Sequence, residues 1–115
     1  MPTFSPARAT HWGPIQTIGQ GTINFNTTGL HTLVTGVPNK RIMMRLYLVV
    51  PAASVIITFE SQDGTILSGP YDARHLGPFS PDGLFLAKTG EHLVLHLNDN
   101  VQVSGHFQYA LVPGT

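Results

Sequence analysis

From Gln16 onward, β-branched and apolar residues fall in short runs separated by Gly, Pro, Asn and Asp. This is the pattern of strands joined by turns, and it leaves almost no room for helices. The longest runs alternate with period two, the repeat of a strand with one buried face. In the longest, Ile42, Met44, Leu46, Leu48 and Val50 share a face predicted to point inward, with Arg45 and Tyr47 on the other. Val55, Ile57 and Phe59 repeat the pattern, as do Leu93, Leu95 and Leu97, and then Val101, Val103, Phe107, Tyr109 and Leu111 with Gly105 between. Four such strands supply one continuous core. The spacing predicts strands over 22–25, 31–35, 41–50, 54–60, 65–68, 84–87, 92–98 and 101–111, with a short one near 15–18. An all-β sandwich or barrel is therefore expected.

Turn chemistry refines this outline. Pro51 ends the third strand ahead of Ala52-Ala53, and Asp63-Gly64 supplies the positive φ angles of a two-residue hairpin turn. In segment 77–83, Pro81 presets a corner that Asp82-Gly83 completes, giving a rigid connection between sheets. The last two strands are read as a hairpin whose inward residues are all odd-numbered. Residues directly opposite on antiparallel strands share a face, so a two-residue turn at Asp99-Asn100, which opposes Leu97 to Gln102, is excluded. A three-residue loop of Asn98, Asp99 and Asn100 pairs Leu97 with Val101 and sets His92 opposite His106. A second register of the same parity sets His92 opposite Gln108, so the histidine pair depends on loop length. If a His92 and His106 pair is buried in a subunit contact, it should loosen when both rings become charged at mildly acidic pH.

Residues 1–15 differ from the rest. Pro2, Pro6 and Pro14 interleave with Phe4, Trp12 and Ile15, a pattern that cannot propagate a helix. The segment reads as an extended arm ahead of a β domain spanning 16–115. Its alternatives are a frayed terminus and a partner-gripping element, and two large aromatics in so short a stretch favour gripping. Phe4, Arg8, Trp12 and Ile15 are the candidate partner-binding residues.

Composition changes the picture of the surface. The chain has 115 residues, enough for one domain, and only 10% are charged. Six Lys and Arg balance six Asp and Glu, so the net charge is zero. Such a surface repels neighbours weakly and favours assembly. No basic run exists to grip a phosphate backbone, so nucleic acid is not an expected partner. No apolar stretch of about eighteen residues predicts a membrane span, and the proline-rich start lacks the apolar run of a secretory signal. The Asn26-Thr27-Thr28 triplet fits a glycosylation acceptor, but without such a signal it is read as chance. With no cysteine, neither disulfides nor thiolate metal sites can form.

Candidate chemistry starts with six histidines, His11, His31, His75, His92, His96 and His106. On one strand His92 and His96 stand about 13 Å apart at roughly 3.3 Å per residue, too far to share a metal ion. Cupin-type jelly-roll enzymes need a His-x-His pair with a downstream Glu, whereas Glu91 precedes His92-x-x-x-His96 here. No nucleophile elbow occurs, and most carboxylates sit in predicted turns. Gly19-x-Gly21 lacks the following helix of a phosphate loop. A sugar-binding face would need several coplanar aromatics, and Tyr47 is the sole one predicted to face outward from a strand. No catalytic residue, metal ligand set or cofactor is expected.

The run from Lys40-Arg41-Ile42, through Ser68-Gly69-Pro70, Pro81-Asp82-Gly83-Leu84-Phe85 and Gly90-Glu91-x-Leu93-x-Leu95-x-Leu97, to Val101-x-Val103-x-Gly105-His106-x-x-Tyr109 resembles short proteins recurring among tailed-phage structural genes. It covers most of 40–111. Together with the size, the lack of charge and the arm, it is similar to the small jelly-roll decoration, or cement, proteins of bacteriophage capsids. The resemblance implies a jelly-roll-like antiparallel β-sandwich of about eight strands with an extended N-terminal arm. It also implies a structural virion protein, made in the host cytoplasm, that binds the major capsid protein on the capsid exterior. Self-association is implied too, as a homotrimer first and a dimer second. No functional residue carries over, because no motif marks the contacts. Similar turns occur in tail and fibre modules, so a carbohydrate-binding β module is the alternative. A metal-dependent jelly-roll enzyme is the third class.

Overall fold

The computed structural model describes residues 9–10, 13–14, 17–73, 78, 80 and 83–114. Among these the chain is all-β and contains no helix. Eight strands, β3 (Thr17–Phe25), β4 (Gly29–Val34), β5 (Lys40–Pro51), β6 (Val55–Ser61), β7 (Ile66–Ala73), β8 (Phe85–Leu86), β9 (Leu93–Leu97) and β10 (Val103–Pro113), make the body of the fold. They form two four-stranded antiparallel sheets, in the orders β3-β10-β5-β8 and β4-β9-β6-β7. Ahead of them, β1 (Ala9–Thr10) and β2 (Gly13–Pro14) pair with each other, so the chain reverses within the predicted arm.

All eight predicted strands are present, and the first takes in Thr17 and Ile18 of the short one expected just before it, whose residues 15–16 lie outside the described residues. Their pairing is nested: β6 meets β7, β5 meets β8, β4 meets β9 and β3 meets β10. The chain is thus one long double ribbon whose tip is the β6–β7 turn. Rolling that ribbon brings β10 against β5 and β9 against β6, which closes the two sheets. The buried residues between them include Ile23, Ile42, Met44, Val49, Ile57, Phe59, Leu95, Leu97 and Phe107. Burying such side chains contributes about 1.5–3 kcal/mol each relative to exposure.

Three local expectations are corrected. First, β9 and β10 are not a hairpin: the connection between them crosses from one sheet to the other. Leu97 lies opposite Gly29 and Ile57, while Val103 lies opposite Phe25 and Pro51. Odd-numbered residues point inward on both strands whether these lie side by side or face each other across the core. Parity therefore could not separate the two arrangements.

Second, the inward face of β5 changes along its length. Tyr109 opposes Met44 and Gln108 opposes Leu46, leaving Arg45 as an unpaired extra residue. Such a bulge shifts the alternation by one. Ile42 and Met44 point inward as predicted, but beyond Arg45 it is Tyr47 and Val49 that enter the core, and Val50 is exposed. Tyr47 packs 4.5 Å from Phe59, which lies 5.0 Å from Phe85. Burial, with Tyr71 as a secondary influence, pushes the Tyr47 hydroxyl up to about 12.

Third, the β6–β7 turn has three residues rather than two. Ser61 N–H donates to the Thr65 carbonyl at 2.9 Å and Gly64 N–H to the Ser61 carbonyl at 2.9 Å. Gly64 closes the loop at φ 93°, the left-handed conformation that this loop class requires.

Candidate functional site

The densest polar constellation sits where this turn meets the segment between β8 and β9. Ser61 Oγ donates to Glu91 Oε1 at 2.6 Å and accepts the Lys88 N–H at 3.0 Å. Glu91 Oε1 also accepts the Asp63 N–H at 3.1 Å. Lys88 Nζ reaches Asp63 Oδ2 at 2.6 Å, and Asp63 Oδ1 accepts the Thr65 N–H at 2.9 Å. Alongside, Gln62 Oε1 accepts the His92 N–H at 3.1 Å, and the Gly36 N–H donates to His92 Nδ1 at 2.6 Å. The Lys88 ammonium, helped by Thr65, holds the Asp63 carboxyl well below the usual carboxylate range, and Asp63 in turn raises Lys88.

Chemically this cluster is self-saturated. Ser61 is 1% exposed, so its hydroxyl cannot reach a substrate, and both its bonds fasten loops together. Asp63 and Lys88 are exposed and hold each other in solvent, where an ion pair contributes little. The cluster is a clasp that pins the ribbon tip to the β8–β9 connection. No group of three or more His, Cys, Asp or Glu able to hold a metal ion occurs among the described residues.

His11 and His75 lie outside the described residues, and the four described histidines are dispersed. His92 belongs to the clasp, whereas His106 is exposed on β10 between Thr22 and Leu48 in the opposite sheet. The expected pairing of His92 with His106 is therefore corrected: it required a β9–β10 hairpin that does not form. His96 lies on the outer face of the second sheet between Leu30 and Thr58. His31 stacks on Phe25 with ring centroids 4.3 Å apart. Of the predicted arm contacts, Phe4, Arg8, Trp12 and Ile15 lie outside the residues whose side chains are described.

What the structure does assemble is uncharged surface. Across the outer face of the first sheet run three rows: Asn24, Ser104 and Val50; Thr22, His106 and Leu48; Gln20, Gln108 and Leu46. None of these residues carries a carboxylate, ammonium or guanidinium; the Arg45 guanidinium stands beside the third row, where its Nη1 donates to Gln108 Oε1 at 3.1 Å. On the second sheet, Leu30 and Ile66 flank the outer face at 64% and 58% exposed. A signal for this surface lies in the chain itself, because residues 9–39 contain no Asp, Glu, Lys or Arg. That stretch holds both β3 and β4, and each is the edge strand of its sheet. An overall charge count conceals such a gap. No family model, curated protein or solved structure matches the chain.

Proposed function

We propose that this chain is a structural virion protein, a decoration or cement protein that binds and stabilises the major capsid protein lattice from the capsid exterior. The observation that carries this reading is the set of three uncharged rows that β3, β10 and the part of β5 beyond Arg45 lay across the outer face of the first sheet. A neutral face can be laid against a protein lattice without stripping water from charges, the step that makes burial of ions costly. The apolar part of the covered area contributes about 25 cal/mol per Å² before association costs are subtracted. The nested order of strand pairs supports the jelly-roll form of the fold. The likeness of 40–111 to phage structural proteins supplies the virion setting. In this reading the N-terminal arm adds Phe4, Arg8, Trp12 and Ile15 as a second point of attachment.

Imaging of virions that carry the chain tests the reading. The expected result is density for a β-sandwich on the outside of the head, with occupancy lost when residues 2–14 are deleted and the β domain stays folded. Density confined to the tail or fibres, or absent from the virion, overturns the decoration role. Unchanged occupancy after the deletion removes the arm from it.

A further inference from the structure

The hydrogen-bond polarity of the first sheet shows which groups its edge leaves free. In β5, Tyr47 N–H donates to the Pro78 carbonyl, while the carbonyls of Ile42 and Met44 accept from Ala87 and Leu84. Those three residues direct their backbone groups away from β10. Bonding along a strand alternates, so Met43, Leu46 and Leu48 are the ones that bond to β10, through Ala110, Gln108 and His106. The even residues of β10 are thereby committed to β5. Its odd residues bond to β3, at Thr17, Gly19, Gly21, Ile23 and Phe25. The N–H and C=O groups of Ile18, Gln20, Thr22 and Asn24 consequently point out of the sheet, and no described strand pairs with that edge.

Natural proteins guard such edges with charge, proline, bulges or brevity. Three of the four edges here are guarded. β8 is only two residues long. β7 carries Pro70, Asp72 and two register shifts in its pairing with β6. β4 is interrupted by a register shift between Thr32 and Val34. β3 has none of these devices: it runs nine residues in unbroken register, without charge or proline.

We propose that the β3 edge is an interface between two copies of this chain, with β3 of each pairing antiparallel to the other about a two-fold axis at Gly21. Gln20 then lies opposite Thr22 of the second copy, and Ile18 opposite its Asn24. This register uses all four residues with free groups, each bonded pair exchanging both of its N–H to C=O bonds. A second copy is the occupant because the edge is complementary to itself. The absence of charge over residues 9–39 means that two identical strands meet without like-charge repulsion. The uncharged rows of the outer face continue from one copy into the next. Ile18, 52% exposed in one chain, gains a neighbour across the junction. The interface does not depend on the virion reading, and its two-fold symmetry selects the dimer over the trimer.

Sedimentation and light scattering on the full chain, with hydrogen exchange, test the proposal. The wild type is expected to be a dimer at micromolar concentration. Thr22→Pro removes an N–H that points away from β10, a substitution an edge strand accepts. It should yield a folded monomer with an unchanged circular dichroism spectrum, while Thr22→Val stays dimeric. In the wild-type dimer the Gln20 and Thr22 amides should exchange at least about tenfold more slowly than after dilution to monomer. A monomeric wild type overturns the proposal, as does a folded Thr22→Pro dimer or a dimer whose Gln20 and Thr22 amides exchange freely. Should Thr22→Pro fail to fold, exchange in the wild type decides the matter by itself.

Discussion

The clasp around Glu91 and the free edge of β3 treat polar groups in opposite ways. At the clasp, the Ser61 hydroxyl and the Asp63 N–H both end on one carboxylate oxygen, and Lys88 closes on Asp63. Along β3, four residues direct their backbone groups out of the sheet where no described strand meets them. Both regions are polar, but only the clasp contains charge. Charged side chains satisfy a turn inside one chain and keep neighbours at a distance. Bare backbone without charge stays available to another strand. Polar content alone therefore does not mark the surface that functions in assembly. Whether the polar groups are already used does.

Gly21 belongs to both the core and the edge, and substitution there has the largest expected effect. A Cβ there would collide with the Phe107 ring, which is held inside the sandwich. Gly21→Ala is expected to cost about 3 kcal/mol, the upper part of the overpacking range, read as a lower denaturant midpoint. Next comes Glu91→Ala, which deprives the buried Ser61 hydroxyl and the Asp63 N–H of their acceptor. A loss of about 2 kcal/mol is expected from the same measurement, with the association state unaltered. Thr22→Pro should show the reverse, a stability change within about 1 kcal/mol with association abolished.

The smallest effect is on pH. Asp63 has a folded-state pKa depressed by Lys88 and Thr65, so its contribution is fully present above the ordinary carboxylate range, near pH 4. It is lost as pH falls through the lower folded value. Acid unfolding of the wild type should therefore be steeper below about pH 4 than that of Asp63→Asn. The difference should shrink with added salt, because the pair is solvent-exposed.

Much of this architecture was legible in the chain. Short apolar and β-branched runs between turn residues located all eight strands, and in four of them period-two alternation reported burial of one face. The positions of β6, β9 and β10 and their inward residues follow from it. Reading failed at Arg45, where one bulged residue reversed the faces of the rest of β5, since no local propensity separates a bulge from continued strand. It failed again at residues 98–102, where a turn between neighbouring strands and a crossing between sheets present the same parity. The candidate surface was half legible. The charge-free stretch over 9–39 is plain in the sequence, but nothing there indicates that it supplies two sheet edges.

By itself, then, the sequence determined the all-β class, the strand positions and the low charge that permits association. These depend on local alternation and composition, which each segment carries alone. Tertiary structure decided which strands are neighbours, which face β5 presents beyond Arg45, and that His92 and His106 stand apart. It also decided that β3 ends a sheet without protection. These are properties of long-range pairing, set by how the rolled ribbon closes its core, and no single segment encodes them.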